Sequence, residues 1–199
     1  MTGSVDGLRA VDLHEVAATS AGWVDQEIPG GSAPVRLHRL WLDRASKASV
    51  SLVRFPPGWE RMATGSYAVA EEFVVLAGVL EMNGRRHGAG CWAFVPADAC
   101  RQDTRTPDGA LALAWFGGVP TWQPGWYDVR RRTASGPADV LGVLMASSAG
   151  HGGSEVVSGP LAPAAKARDA LDVERWTWTW LPAGAGLPAR VDRLLVRSW

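Results

Sequence analysis

Between residues 35 and 118 the chain is a series of short strand-forming segments, each ended by glycine or proline. Residues 35–42 (VRLHRLWL) alternate in part, and 49–55 (SVSLVRF) stop at Pro56-Pro57-Gly58. Residues 72–82 (EFVVLAGVLEM) form a long apolar strand or strand pair broken at Gly78. Residues 91–95 (CWAFV) end at Pro96, and 110–116 (ALALAWF) end at Gly117-Gly118. Asn83-Gly84 is a strong two-residue hairpin signal, because both positions tolerate positive φ. Short strands at this pitch, punctuated by turns, predict an antiparallel sandwich or small barrel.

The flanks read differently. Residues 1–34 form an N-terminal arm, with a short helix over 10–18, Asp12 as its N-cap and Glu15 three residues on. A Pro/Gly loop covers 28–34. Residues 119–199 form a C-terminal extension that packs on the barrel. It holds a Pro/Trp loop at 120–126, a solvated basic run at Arg130, Arg131 and Arg132, an apolar stretch at 140–146 and a Gly/Pro/Ser-rich loop at 149–165. Trp176, Trp178 and Trp180 alternate with Thr177 and Thr179, which predicts one tryptophan face on a half-buried strand. A last strand is expected at 191–196. The segment 175–184 (RWTWTWLPAG) is a weak copy of 49–58 (SVSLVRFPPG), as a truncated second barrel module would leave.

Composition removes several classes of function. The 199 residues are 47% hydrophobic, enough for a core without staples. The formal net charge is zero, which gives no electrostatic footprint for nucleic acid. No apolar run approaches the roughly 20 residues of a membrane span, and the first residues lack the pattern of a signal peptide. Cys91 and Cys100 stand in no metal-ligand spacing; a reduced, cytoplasmic location is expected. The 11 tryptophans predict large apolar contacts, some of them in a ligand cavity.

The stretch from Gly58 to Gly78 carries a family resemblance. Gly58, Thr64, Ser66, Glu71 and Gly78 follow the spacing of the first cupin motif, G-x5-H-x-H-x4-E-x6-G. Gly90, Pro96, Asp98, Arg101 and Arg105 follow the spacing of the second, G-x5-P-x-G-x2-H-x3-N. Over residues 35–118 the chain therefore resembles small single-domain bacterial cupins. The resemblance implies an all-β, cupin-type antiparallel barrel, a double-stranded β-helix or jelly roll, with a tendency to dimerise. It also implies a metal held at the positions of Thr64, Ser66, Glu71 and Arg101. Only the glutamate is kept. Hydroxyls are poor ligands for borderline metals and a guanidinium cannot ligate, so the site reads as degenerate, with no metal or other cofactor. A one-residue shift would bring Gly65 and Tyr67 to the histidine positions, which supplies no better ligands. His14, His38, His87 and His151 make no ligand pair in sequence.

Alternation puts Glu71, Phe73 and Val75 on one face, with Glu72, Val74 and Leu76 on the other. If Glu71 and Arg101 point inward, Glu71 serves as general acid or base and Arg101 as anion or carbonyl binder. Tyr67 and His38 are further catalytic candidates. Thr64, Ser66, Phe73, Trp59, Trp92, Trp115 and Cys100 are candidates for substrate contact, and Arg101 beside Cys100 is expected to lower the thiol's pKa. The reading that follows is a metal-independent enzyme doing non-redox acid/base chemistry, of the isomerase, cyclase or dehydratase type. Its substrate would be a small, largely apolar or polycyclic metabolite, and neither nucleic acid nor membrane is expected as a partner. Two alternatives stand beside it. One is a non-catalytic binding or regulatory cupin. The other is a metal-dependent cupin with a site rearranged around Glu71 and His38, His87 or Cys100.

Overall fold

At Asn83-Gly84 the backbone takes φ of 55° and 72°, both positive as a primed hairpin turn requires. The strand Glu71–Met82 enters this turn and Arg85–Gly88 leaves it, with Met82 opposite Arg85. The computed structural model describes residues 7–137, 154–187 and 194–199. It is built almost wholly of antiparallel strands, in two compact units. Residues 21–137 form one; residues 1–20 with 138–199 form the other. These boundaries differ from an arm, a barrel and an extension, because strand pairing divides the arm. Trp23–Gln26 pairs with Val35–Leu42 in the first unit, whereas Arg9–Asp12 pairs with Thr177–Leu181 in the second.

In the first unit the main sheet runs Ala134–Pro137, Cys91–Val95, Glu71–Met82, Ala110–Phe116, Ser49–Phe55, Val35–Leu42, Trp23–Gln26. Glu71–Met82 is one strand rather than a pair, and it turns a corner at Gly78. Up to Gly78 it pairs with Ala110–Phe116, and over residues 71–74 also with Cys91–Val95. Beyond Gly78 it pairs with Arg85–Gly88 and, at Glu81, with Thr104–Thr106. Gly78 has φ of 75°, and a Cβ there would lie 2.2 Å from the Gly109 carbonyl oxygen. Only glycine permits both the conformation and the approach. Trp59–Arg61 pairs with Thr104–Thr106, and Gly65–Tyr67 pairs with Trp122–Pro124 and bridges to Arg101 at Gly65. This closes a barrel of the cupin type around an apolar interior that includes Val35, Val53, Trp59, Phe73, Val75, Leu80 and Met82. Burying each such side chain stabilises the fold by roughly 1.5–3 kcal/mol.

The second unit is a five-stranded sheet in the order Arg9–Asp12, Thr177–Leu181, Arg168–Asp172, Leu194–Ser198, Ser154–Val157. The helix is Leu13–Ala18, with the Asp12 carboxylate accepting the backbone N–H groups of His14 and Glu15. The residues before Asp12 are a strand rather than helix, because Arg9–Asp12 completes the sheet edge. Trp178 and Trp180 lie in one strand, but Trp176 does not extend their face. It sits in the preceding turn with φ of 53° and stacks on His14 at 4.2 Å. The turn is set by Asp172, whose Oδ1 accepts the backbone N–H groups of Glu174 and Arg175. The Trp178 and Trp199 indoles donate to opposite oxygens of buried Asp169. The 49–58 and 175–184 segments share a turn: Trp59 N–H donates to the Pro56 carbonyl, and Ala185 N–H to that of Pro182. Gly58 and Gly184 take positive φ at the third turn position of each. The apolar stretch 140–146, residues 149–153 of the expected loop and residues 191–193 of the last strand lie outside the described residues, as does His151. Within that expected loop, Ser154–Val157 is a strand. No described helix is long and apolar enough to cross a membrane.

Candidate active site

The barrel encloses a cavity of about 560 Å³. Its wall is mostly aliphatic and phenylalanine: Val35, Leu37, Val53, Phe55, Phe73, Leu80, Met82 and Phe116 among others. Residues 26–29 contribute to it from ahead of the barrel strands. Four cationic side chains (Arg39, Lys47, Arg61 and Arg101) line it against two carboxylates, Glu27 and Glu71.

At one end lies a polar cluster. Arg101 is wholly buried, and its Nε and Nη2 both donate to Glu71 Oε2 at 3.2 Å, while Nη1 donates to the Ala99 carbonyl at 3.3 Å. Its guanidinium stacks 4.6 Å over the Tyr67 ring. Burial pushes the Arg101 pKa down, and the Glu71 charge opposes that shift. Arg61, also buried, donates Nη1 to the Tyr67 hydroxyl at 3.0 Å and lies 4.2 Å over the Trp122 ring. Tyr67 has its pKa raised, first by its own burial, against the lowering pull of Arg61. The phenol stays protonated across neutral pH. Glu71 keeps 18% of its side chain exposed, and its Oε1 has no hydrogen-bond partner among the described residues.

The structure thus gathers Glu71, Arg101, Tyr67, Phe73 and Trp59 around one cavity. The other six candidates lie outside its lining. Ser66 and Tyr67 are neighbours on one strand and so face opposite ways; Tyr67 is inward, and the Ser66 hydroxyl points to Gln123 Oε1 at 3.3 Å. Thr64 is half-buried in the loop before that strand, where its carbonyl accepts the Gly125 N–H. Tyr67, one residue beyond the motif position, is therefore the side chain of this strand that lines the cavity. His38 alternates with the lining residues Leu37 and Arg39, packs edge-on against Trp23, and leaves Nδ1 buried without a partner. Trp92 faces away from the cavity with Nε1 donating to Glu72 at 2.5 Å. Trp115 is buried between the lining residues Ala114 and Phe116, on the opposite face. Of the tryptophans only Trp59 lines the cavity, its Nε1 tied to the Ala33 carbonyl. Cys100 is partly buried, and its thiol pKa is raised rather than lowered, because desolvation outweighs the Arg101 charge.

Arg61 is the residue the sequence reading missed. A signal existed: it lies two residues beyond Trp59 in a strand, so both share a face. The guanidinium of Arg101 is also directed differently from the expectation of an anion binder, since three of its N–H directions go to Glu71 and Ala99.

These residues do not fit the divalent metal centre that a cupin barrel implies. The retained carboxylate is held by a guanidinium that cannot ligate and would repel the ion. The inward neighbour is a protonated phenol, and no group of three or more His, Cys, Asp and Glu converges among the described residues.

Residues 15–118 match a family described as a domain of unknown function, DUF4437. The chain belongs to the DUF4437 family. No curated protein matches the sequence. Solved structures resemble the DUF4437 chain in fold at low identity. One is a candidate dioxygenase of Nostoc punctiforme, with a TM-score of 0.68 at 16% identity, covering 96% of this chain and 82% of that one. Ylba from E. coli gives 0.59 at 11% identity, over 96% and 90% of the two chains. Streptomyces albus HEPD, solved with 2-hydroxyethylphosphonate and Fe(II), gives 0.53 at 10% identity, over 96% and 76%. At such identities the likeness speaks for the fold alone, and the residues of the cavity must speak for function.

Proposed function

We propose that this DUF4437 protein is a metal-independent cupin enzyme that moves a proton within a small, largely apolar substrate, without redox change. The observation that carries the reading is the state of Glu71. One carboxylate oxygen is fixed by two N–H groups of Arg101 and the other is left open at the cavity. A base held at one oxygen and free at the other is oriented for proton abstraction.

The chemistry fits a substrate with a carbonyl beside the acidic carbon. Glu71 Oε1 takes the proton from carbon, the C–H electron pair forms a C=C bond to the carbonyl carbon, and the carbonyl π pair moves onto the oxygen. The Tyr67 hydroxyl, whose oxygen already accepts from Arg61, points its own proton at the developing oxyanion. Where a C=C double bond is conjugated with that enolate, return of the proton from Glu71 to its far carbon shifts the double bond and restores the carbonyl, with atoms and electrons conserved. Arg101 acts as a positioning residue. The apolar wall keeps water from the enolate and favours a hydrophobic body.

The test is proton exchange in deuterated water. Purified protein, stripped with chelator, is incubated with a panel of apolar ketones and keto acids, and deuterium incorporation is followed by NMR. Exchange is expected to survive chelation and to be lost in Glu71→Gln. Turnover that appears only when a transition metal is restored would overturn the reading.

The binding-protein alternative is favoured by the same ion pair, since a guanidinium closed on a carboxylate is also a structural contact. Absence of exchange with retained ligand binding would select it.

A further inference from the structure

Arg61 is a buried cation without a counter-anion. Its guanidinium is permanently charged, its residue is 4% exposed, and it forms no ion pair among the described residues. Its one hydrogen bond runs from Nη1 to the neutral Tyr67 hydroxyl. The Trp122 and Tyr67 rings beside it offer electron-rich faces but no net charge. Glu71 is engaged by Arg101, and the other lining carboxylate, Glu27, is exposed and makes no ion pair with Arg61. An uncompensated buried charge is costly, so a fold that keeps one has a use for it.

The unpaired hydrogen-bonding groups point to the same place. Arg61 Nε is buried and has no partner. Thr104 stands directly opposite Arg61 in the antiparallel register, lines the same cavity, and has Oγ1 buried and unpartnered as well. Two strands thus present a charged N–H and a hydroxyl to the cavity from facing positions. Ser51 Oγ, on another wall, is a third unpartnered donor.

We infer that Arg61 and Thr104 form an anion subsite that holds the carboxylate of an apolar organic acid, the charge that balances Arg61. The inference rests on the cavity being the working site proposed above, and it narrows the substrate to a monocarboxylate. Arg39 and Lys47 also line the cavity, but both are exposed to water, so the one buried uncompensated cation calls for one anionic charge on a hydrophobic body. A guanidinium with one hydroxyl beside it suits a carboxylate's two oxygens.

Isothermal titration decides it, with octanoate, phenylacetate and cinnamate each compared with its primary amide, and with inorganic phosphate as a third arm. At least one carboxylate is expected to bind about tenfold more tightly than its amide, the scale of a charge-assisted pair over a neutral one. Arg61→Gln should erase that preference, so that acid and amide bind within about twofold of each other. Thr104→Val, which keeps shape and charge, should weaken the carboxylate severalfold and serves alone if the arginine variant does not fold. Equal binding of acids and amides, or phosphate binding as tightly as the acids, overturns the inference. The two readings fail separately. A lasting carboxylate preference without proton exchange in wild-type protein defeats only the proton chemistry, and exchange without preference defeats only the subsite.

Discussion

Arg101 grips Glu71 by one oxygen alone, with Nε and Nη2 both 3.2 Å from Oε2. Removing the guanidinium leaves a carboxylate with 18% side-chain exposure and no partner in an apolar chamber. Arg101→Met is therefore expected to cost about 3 kcal/mol, the usual penalty for breaking a buried pair. The double variant Glu71→Met with Arg101→Met should recover most of that loss. Urea denaturation of the three proteins measures both effects, and a double variant no better than the single one would show that the pair itself stabilises the barrel.

Tyr67→Phe removes one hydroxyl and little volume. Its loss leaves Arg61 Nη1 without its hydrogen bond, for about 1–2 kcal/mol of stability. Proton exchange should fall more steeply, by about a hundredfold, if the phenol supplies the proton to the oxyanion. Equal exchange rates in the two proteins would assign Tyr67 to packing.

His87 gives the fold an acid-side weakness. It is buried, its Nε2 has no partner, and desolvation lowers its pKa, helped by nearby Arg85. The neutral ring is the folded form, while the unfolded chain protonates it near pH 6.5. Between the lowered pKa and about 6.5 the unfolded state binds more protons, so stability falls as pH drops through that window. His87→Phe should flatten this slope of midpoint against pH. An unchanged slope would place the acid sensitivity elsewhere.

Two glycines with similar φ should respond differently to alanine. Gly84, at 72°, has open space where a methyl would stand, so Gly84→Ala costs only conformational strain, about 1 kcal/mol. Gly78, at 75°, would drive its methyl into the Gly109 carbonyl, and Gly78→Ala should cost about 3 kcal/mol or more. Urea midpoints that rank these two alike would contradict the corner role of Gly78.

Trp92 and Trp59 provide a control on the cavity wall. Trp92→Phe removes a hydrogen bond to a carboxylate on the far face, costing about 2 kcal/mol, with ligand affinity unchanged. Trp59→Leu reshapes the lining and should weaken binding of the carboxylates tested above at least severalfold. A titration in which Trp92→Phe also weakens binding would place Trp92 nearer the ligand than its bond to Glu72 allows.

The sequence by itself determined the longer strands between residues 35 and 116, because glycine and proline bound each apolar run and period-two patterning needs no distant partner, whereas short strands such as Arg9–Asp12, Trp59–Arg61 and Arg168–Asp172 are defined only by their partners. It also determined the Asn83-Gly84 hairpin, the Asp12 cap and the shared face of Glu71 and Phe73. These are local consequences of backbone conformation and alternation. The tertiary structure decided everything that depends on which face of a strand meets which neighbour. Motif spacing placed Thr64 and Ser66 at the site, yet a one-residue register puts Tyr67 inward and Ser66 outward, and period two makes that slip reverse every side chain. The tryptophans look alike in sequence, but sheet pairing sends Trp92 and Trp115 to the outer face and Trp176 into a turn. Arg61 is one of 18 arginines along the chain. Only its placement across from Thr104, with no ion pair among the described residues, makes it a charge awaiting a partner, because burial and pairing are properties of neighbours in space.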